Sequence, residues 1–95
     1  MSVLSEIAEE RKRQDLKWGE QNHPPCEWIT ILTEEVGEAA EEALNIRFDY
    51  KDGGRPLVAL RMELIQVAAV AVAFIECLDR GKWEDDMRKR LEEQT

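Results

Sequence analysis

Helix-forming residues dominate the chain, and no stretch alternates apolar and polar β-branched residues as a strand would. The pattern therefore predicts an all-α protein with four helices. The expected helices run from Ser2 or Ser5 to about Lys17, from near Glu27 to about Arg47, from Pro56 to about Arg80, and from Trp83 to about Glu93. Serine suits the first N-cap, and Gly19 and Gly81 suit helix stops. Pro24 and Pro25 together indicate that residues 19–27 form a loop.

The third predicted helix is apolar around its whole circumference. Its apolar side chains are Leu57, Val58, Leu60, Met62, Leu64, Ile65, Val67, Val70, Val72, Phe74, Ile75 and Leu78. Such a helix is expected to be buried on every side. Two short amphipathic helices of the same chain cannot cover it, so we expect a four-helix-type bundle that is completed by homo-oligomerisation, as a dimer or a tetramer.

Composition narrows the class of protein. The 95 residues fit one domain, residues 1–95, and the formal net charge of -8 argues against a nucleic-acid polymer as partner. Cys26 and Cys77 have no paired spacing and are expected to be free thiols in a reducing compartment. The N-terminus carries charges where a signal peptide needs apolar residues, and the longest nearly apolar run, residues 67–75, is short for a bilayer. We therefore expect a cytoplasmic protein that does not enter a membrane.

The second predicted helix contains TEEVGEAAEEAL, which carries five glutamates, at positions 34, 35, 38, 41 and 42. At roughly 100° per residue, Glu34 and Glu41 point away from the apolar sector formed by Ile29, Leu32, Val36, Ala39, Ala40 and Ala43. Glu35 falls at the edge of that sector, and Glu38 lies beside it, one turn further on. A solvated acidic face is one interpretation; a partly buried pair of carboxylates is the other.

Glu63 is the most unusual residue of the third helix. It shares a column with Val67, Val70 and Phe74, within roughly 40° on the helical wheel, and Gln66 lies about 60° away. A carboxylate there is costly unless something compensates its charge. A salt bridge to Arg61 or Lys51, or access to solvent near the helix start, would do so.

A hard cation could also compensate the charge of Glu63. Carboxylates spaced by three residues on two neighbouring helices can converge on one or two Mg²⁺ ions, which prefer oxygen ligands. A di-iron site would need a Glu-x-x-His on two helices, and the single histidine, His23, lies in the predicted loop. The pattern therefore favours Mg²⁺, with Mn²⁺ as a possible substitute.

EEVGE at 34–38 followed by ELIQ at 63–66 resembles the EExxE and ExxD signature of the MazG-like nucleotide pyrophosphohydrolases, in the all-α NTP pyrophosphatase superfamily. The 24 residues between Glu38 and Glu63 fit the usual spacing of these motifs. RQDLKWGEQNHP at 13–24 is also similar to the segment before this helix in short phage-type or integron-type members. The resemblance covers roughly residues 10–80. It departs from the signature at Gln66, which stands where the family has aspartate.

The resemblance implies an enzyme that hydrolyses a nucleoside triphosphate to the monophosphate and pyrophosphate through Mg²⁺-dependent attack of water on the α-phosphate. It implies that Glu35, Glu38 and Glu63 are metal ligands, with Glu34 as a supporting group or the general base. Gln66 could offer an amide oxygen, but with one negative charge fewer, which should weaken metal binding or lower the number of ions. The family also implies a dimeric or tetrameric bundle.

Residues of the first loop and nearby cations are candidates for substrate binding. Trp18 could stack on a base, Asn22 or His23 could read its edge, and Lys17 could contribute a charge. A second group of cations, Lys51, Arg55 and Arg61, is expected to flank the carboxylates and to hold the β- and γ-phosphates. A packing role for Trp18 and ordinary surface positions for the cations are the alternative interpretations.

Two other functions remain open. A non-catalytic helical interaction module could keep the bundle and lose the chemistry, and Gln66 is the residue that favours this interpretation. A related pyrophosphatase could act on a different phosphate ester, such as a phosphoribosyl nucleotide. Assays of pyrophosphate release would separate these possibilities from nucleoside triphosphate hydrolysis.

Overall fold

The computed structural model describes residues 2–48 and 55–94, and the side chains of all of these except residues 55 and 56. Within these ranges the chain forms four α-helices and no strand. The helices are α1 (Val3–Trp18), α2 (Pro25–Phe48), α3 (Arg55–Arg80) and α4 (Lys82–Glu93). The all-α prediction is therefore confirmed for the described residues.

The helix ends follow local chemistry. Ser2 caps α1 by accepting a hydrogen bond from the Ser5 amide, and Gly19 and Gly81 end α1 and α3 with a positive φ that suits glycine. The expectation that both prolines exclude helix was wrong for Pro25, which is the first residue of α2. Proline is favoured there because the first helical residue needs no amide hydrogen. Cys26 is consequently in α2 rather than in a loop.

Helix α3 is the central element, and it contacts α1, α2 and α4. The core lies between α2 and α3 and is small: Trp28, Val70, Ala73 and Cys77 are buried, and Ile31, Leu32, Phe74 and Trp83 pack against them. Both cysteines are free, as expected; Cys77 is buried and its thiol donates to the His23 carbonyl at 3.6 Å. Trp83 of α4 reaches this core, whereas Leu91 of the same helix is exposed.

The chain by itself does not bury the apolar surface of α3. Leu57, Val58, Met62, Leu64 and Ile75 are each at least half exposed. On α2, Ile29 and Val36 are also exposed, so only part of the sector predicted to face the core does so. The molecule measures 56 × 30 × 19 Å, and 19 Å is about two helix diameters. In such a thin arrangement one face of α3 has no helix on it.

By length and composition alone, the segment Leu57–Arg80 could cross a membrane: its mean hydropathy is 2.0, and only 17% of its apolar window is buried. This is weak evidence, because the core helix of a soluble protein has the same length and composition. Two ion pairs tie α3 to the highly charged α1: Arg11 to Glu76, and Arg61 to Glu6. Charged pairs of this kind are costly in lipid.

Candidate metal and nucleotide site

Three carboxylates converge at the interface of α2 and α3. One carboxylate oxygen from each of Glu35, Glu38 and Glu63 lies within 4.8 Å of the other two. Glu35 and Glu38 lie on neighbouring turns of α2, and Glu63 comes from the facing turn of α3. Glu35 and Glu63 are half-buried, while Glu38 is exposed. The structure thus brings together the acids that the sequence singled out on two helices.

The charge of this cluster is poorly compensated. Burial raises the pKa of Glu63, and hydrogen bonding to Glu38 and the charges of Glu38, Glu35 and Glu42 raise it further. Burial also raises the pKa of Glu35, helped by the charges of Glu38, Glu34 and Glu10. Every charged neighbour that shifts these two groups is another carboxylate.

Glu63 has no ion pair with any residue in 2–48 or 55–94, and its Oε2 atom is buried without a hydrogen-bond partner. Arg61, one of its two expected partners, instead donates from Nη1 and Nη2 to the carboxylate of Glu6, at 2.9 and 2.5 Å. Lys51 and the side chain of Arg55 lie outside what the structure describes. The salt bridge from Arg61 to Glu63 that could have explained this residue is therefore excluded. A buried carboxylate oxygen without a partner needs another explanation, such as an ion.

The cluster fits a small hard cation. Opposite ligands of an octahedral Mg²⁺ lie about 4.2 Å apart, twice the usual Mg–O distance. The observed spread of up to 4.8 Å is slightly wider, and a small side-chain rotation would close it. The donors are all carboxylate oxygens, which suit Mg²⁺ and Mn²⁺ rather than soft metals.

A cleft of about 380 Å³ opens beside these acids, between α1, α2 and α3. Glu35 and Gln66 lie along it, together with the buried Trp28. The other residues lining it are Arg13, Gln14, Lys17, Trp18, Gln21, Ile31 and Val70. The cleft thus combines cations, carboxamides and indole rings next to the candidate metal ligands. Its volume falls within the usual range for small-molecule sites, roughly 300–1,000 Å³.

Lys17 and Trp18 both line this cleft, as expected for substrate-binding residues. The ammonium nitrogen of Lys17 lies 4.8 Å from the centre of the Trp18 ring, and the ring is 61% exposed. Because Trp18 has few packing contacts, the structure does not support its alternative role as a packing plug. The indole nitrogen of Trp28, deeper in the cleft, is buried without a hydrogen-bond partner.

Three other predicted substrate contacts lie elsewhere. Asn22 donates to Glu20 at 3.1 Å and accepts from Arg80 at 3.2 Å, so its amide is used to hold the loop. His23 packs edge-on against Trp28 and lies 3.3 Å from a carboxylate oxygen of Glu27, but it does not itself line the cleft. Arg61 lines a separate, more open groove of about 590 Å³ between α1 and α3. The geometry gives these three residues no place beside the acids.

Arg13 and Gln14, which α1 adds to the cleft beside Lys17 and Trp18, were not predicted from the sequence. Arg13, Gln14, Lys17 and Trp18 follow the spacing of one helical face, and that spacing was the available signal. Which helix this face would meet depends on packing. Glu34, the residue expected to be the general base, is exposed, and its charge contributes to the raised pKa of Glu35.

The pKa shifts predict an unusual pH dependence of stability. A carboxyl with a raised pKa binds more protons in the folded than in the unfolded state, so stability falls as pH rises from the ordinary glutamate pKa of 4.5 through the raised pKa. For metal-free protein we expect the free energy of unfolding to increase as pH is lowered from 7 towards 5. Urea denaturation across this range would measure it.

The substitution Glu63→Gln should raise the stability of the metal-free protein at pH 7 and flatten this increase. Glu41→Gln, on an exposed face of the same α2, is the matched control and should leave the slope unchanged. Below pH 4.5 the slope should reverse, because arginines hold the pKa values of Glu6 and Glu10 below that value. Equal slopes in the wild type and Glu63→Gln would contradict the assignment.

No family model, curated protein or solved structure matches the chain.

Proposed function

We propose that this protein is a Mg²⁺-dependent nucleoside triphosphate pyrophosphohydrolase of the cytoplasm, with Mn²⁺ as a possible substitute ion. The observation that carries the proposal is the convergence of Glu35, Glu38 and Glu63, with a buried oxygen of Glu63 that has no partner, beside a cationic and aromatic cleft. The motif resemblance of residues 34–38 and 63–66 points to the same chemistry.

The three carboxylates would hold the cation, with the oxygen of Gln66 as a weaker fourth donor. A cation bound there would neutralise the acids, polarise the phosphate oxygens and lower the pKa of a water molecule. Glu34 remains the candidate base on the solvent side. Arg13 and Lys17 would neutralise phosphate charge at the other side of the cleft, a role that suits guanidinium and ammonium groups.

The nucleoside would lie towards Trp18. A base stacked on the indole would take the ring face now covered by Lys17 and would free its ammonium group for the phosphates. Gln14 and Gln21 line the same cleft and carry amides that can pair with a base edge. Gln14 already accepts from Arg11 through its oxygen, which leaves its amino group available as a donor.

Pyrophosphate release from the eight common ribo- and deoxyribonucleoside triphosphates, with and without Mg²⁺, tests the proposal directly. We expect release from at least one nucleotide that stops when the metal is chelated. No release from any of the eight would contradict the proposal. Release from a phosphoribosyl nucleotide only would identify the related pyrophosphatase, and no release from either class would favour the interaction module that Gln66 suggests.

Trp18 provides a specific test of the nucleotide position. Base stacking on an aromatic side chain is worth about 1–3 kcal/mol, so Trp18→Ala should raise KM about 5- to 150-fold with a smaller change in kcat. Trp18→Phe should recover most of the lost affinity, since it keeps an aromatic face. Steady-state kinetics of the wild type and the two variants would measure this. An unchanged KM in Trp18→Ala would show that the base does not bind in this part of the cleft.

We also propose that the exposed apolar face of α3 packs against a second copy of the chain, giving a dimer or a tetramer. The support is the set of at least half-exposed apolar residues on α3, of which Leu57, Leu64 and Ile75 share one side of the helix, and the two-helix thickness of the molecule. Light scattering should give at least twice the chain mass of 11.0 kDa at micromolar concentration. Ile75→Glu should shift the protein towards monomer, whereas Leu4→Glu, at a still more exposed apolar position on α1, should not. A monodisperse wild-type monomer would contradict self-association.

A further inference from the structure

Arg11 is a mostly buried cation of α1 to which the proposed chemistry gives no part. Its side chain is 13% exposed. Its guanidinium donates from Nε to Glu76 at 2.7 Å, from Nη2 to Asp15 at 3.0 Å and from Nη1 to the amide oxygen of Gln14 at 3.1 Å. A guanidinium is a rigid planar fork, so three hydrogen bonds made in different directions hold it in one orientation.

This arrangement decides which end of the Gln14 amide is free. Arginine carries no acceptor, so the end of the amide that meets Arg11 must be the carbonyl oxygen. The amino group is left for another partner. It donates to no acceptor among residues 2–48 and 55–94, and it is not buried. Because Gln14 lines the cleft beside the acids, its amino group is a donor that a ligand in the cleft can use.

The helical spacing of α1 places Gln14 beside Trp18. Residues four apart lie on one face of a helix, with their Cβ atoms about 5–6 Å apart. Both of these side chains line the cleft, whereas Arg11 does not. A base stacked on the indole of Trp18 therefore has an edge within reach of Gln14, and Arg11 can act on that base only through the amide that it holds.

We propose that Arg11 is a positioning residue for base recognition: by holding the amide oxygen of Gln14, it fixes the amino group of Gln14 as a donor, which selects a base with an acceptor at the facing position of its edge. This inference rests on the proposed function, because it assumes that a nucleotide stacks on Trp18. Without this hold the amide could turn over and offer either its oxygen or its amino group. Such a glutamine would not discriminate between bases.

The edges of the bases translate a fixed donor into a preference. Uracil and guanine carry a carbonyl oxygen where cytosine and adenine carry an amino group. The ring nitrogen beside it bears a hydrogen in the first two bases and a lone pair in the other two. At either position one member of each pair accepts and the other donates. A fixed donor should therefore favour one member by at least about 5-fold, because a donor facing a donor leaves both groups without a partner.

The kinetics of pyrophosphate release test this role through the ratio of kcat/KM within each pair, UTP against CTP and GTP against ATP, or their deoxy counterparts. We expect the wild type to favour one member of at least one pair by about 5-fold or more, and Arg11→Lys to reduce that ratio to less than about 2-fold. Lysine keeps the charge that faces Glu76 but has no rigid fork of donors. Both substrates of a pair are measured on the same protein, so a smaller folded fraction cannot change the ratio.

Two further variants separate orientation from the attachment of α1. Arg61→Lys is the matched control, because the pair of Arg61 with Glu6 joins the same two helices at a different point, and it should keep the wild-type ratio. Gln14→Glu keeps an oxygen for Arg11 but replaces the donor with a second acceptor, so it should reverse the preference.

An unchanged ratio in Arg11→Lys or in Gln14→Glu would overturn the positioning role. So would an equal loss of preference in Arg61→Lys, or a wild type that favours neither member of either pair. Each of these outcomes leaves the proposed hydrolysis standing. A wild type that releases pyrophosphate from no nucleotide would overturn both proposals.

Discussion

Replacing Glu63 with glutamine is expected to lower the rate of Mg²⁺-dependent pyrophosphate release by more than about 100-fold. Loss of an outer group that only supports a metal ligand already costs about 10- to 100-fold, and Glu63 is proposed as a ligand itself. It is also the single acid that α3 contributes to the converging carboxylates of Glu35, Glu38 and Glu63. Glutamine keeps the size of the side chain and removes only its charge. The measurement is kcat/KM with the preferred nucleotide at saturating and at limiting Mg²⁺.

The loss of activity in Glu63→Gln should not come from unfolding. The charge of Glu63 is unfavourable in the metal-free protein, because burial and the surrounding acids raise its pKa. The variant should therefore be at least as stable as the wild type at pH 7. Glu41→Gln removes the same charge from an exposed position of α2 and should keep full activity. Comparable activity of Glu63→Gln and the wild type would refute the assignment of the metal site.

Replacing Trp28 with alanine is expected to destabilise the protein by about 3–5 kcal/mol, a large part of the stability of a small protein. Trp28 is 2% exposed and belongs to the small cluster of buried residues between α2 and α3. Its ring stacks on Phe74 with 5.8 Å between centroids and meets the ring of His23 edge-on at 5.0 Å. Alanine would leave a cavity that these neighbours cannot fill. Urea denaturation would measure the change.

Trp18→Ala is the comparison for this stability measurement. Both tryptophans line the cleft, but Trp18 is largely exposed and its removal should cost less than about 1 kcal/mol. The two substitutions should therefore separate cleanly: Trp28→Ala changes stability, and Trp18→Ala changes KM. Equal destabilisation by both would show that Trp18 is a packing residue.

Much of the secondary structure was predictable from local patterns. Ser2, Gly19 and Gly81 mark helix ends through capping and positive φ, which depend on a few neighbouring residues. The predicted start of α2, near Glu27, was wrong. Proline excludes a helix interior but fits the first helical turn, which is where Pro25 lies. The all-round apolar character of α3 was also evident, but the structure leaves much of that surface exposed in one chain.

The candidate site was predictable where it depends on spacing along one helix. Glu35 and Glu38 are neighbours on α2 because three residues make nearly one turn, and Glu63 was recognised by the apolar residues in its column. Arg61, only two residues from Glu63, was expected beside the acids but points to Glu6 on α1. Two residues rotate a helix by about 200°, so closeness in sequence misled here.

What the sequence by itself determined about this protein is its helical class, the approximate helix ends and the acids that share a face with apolar residues. These follow from interactions within a few turns of one helix. Only the tertiary structure decided that α1 lies along α3 and that Arg13, Lys17 and Trp18 line one cleft with Glu35. Those contacts depend on the rotation and register of separate helices, which are determined by packing around Trp28 rather than by any local pattern.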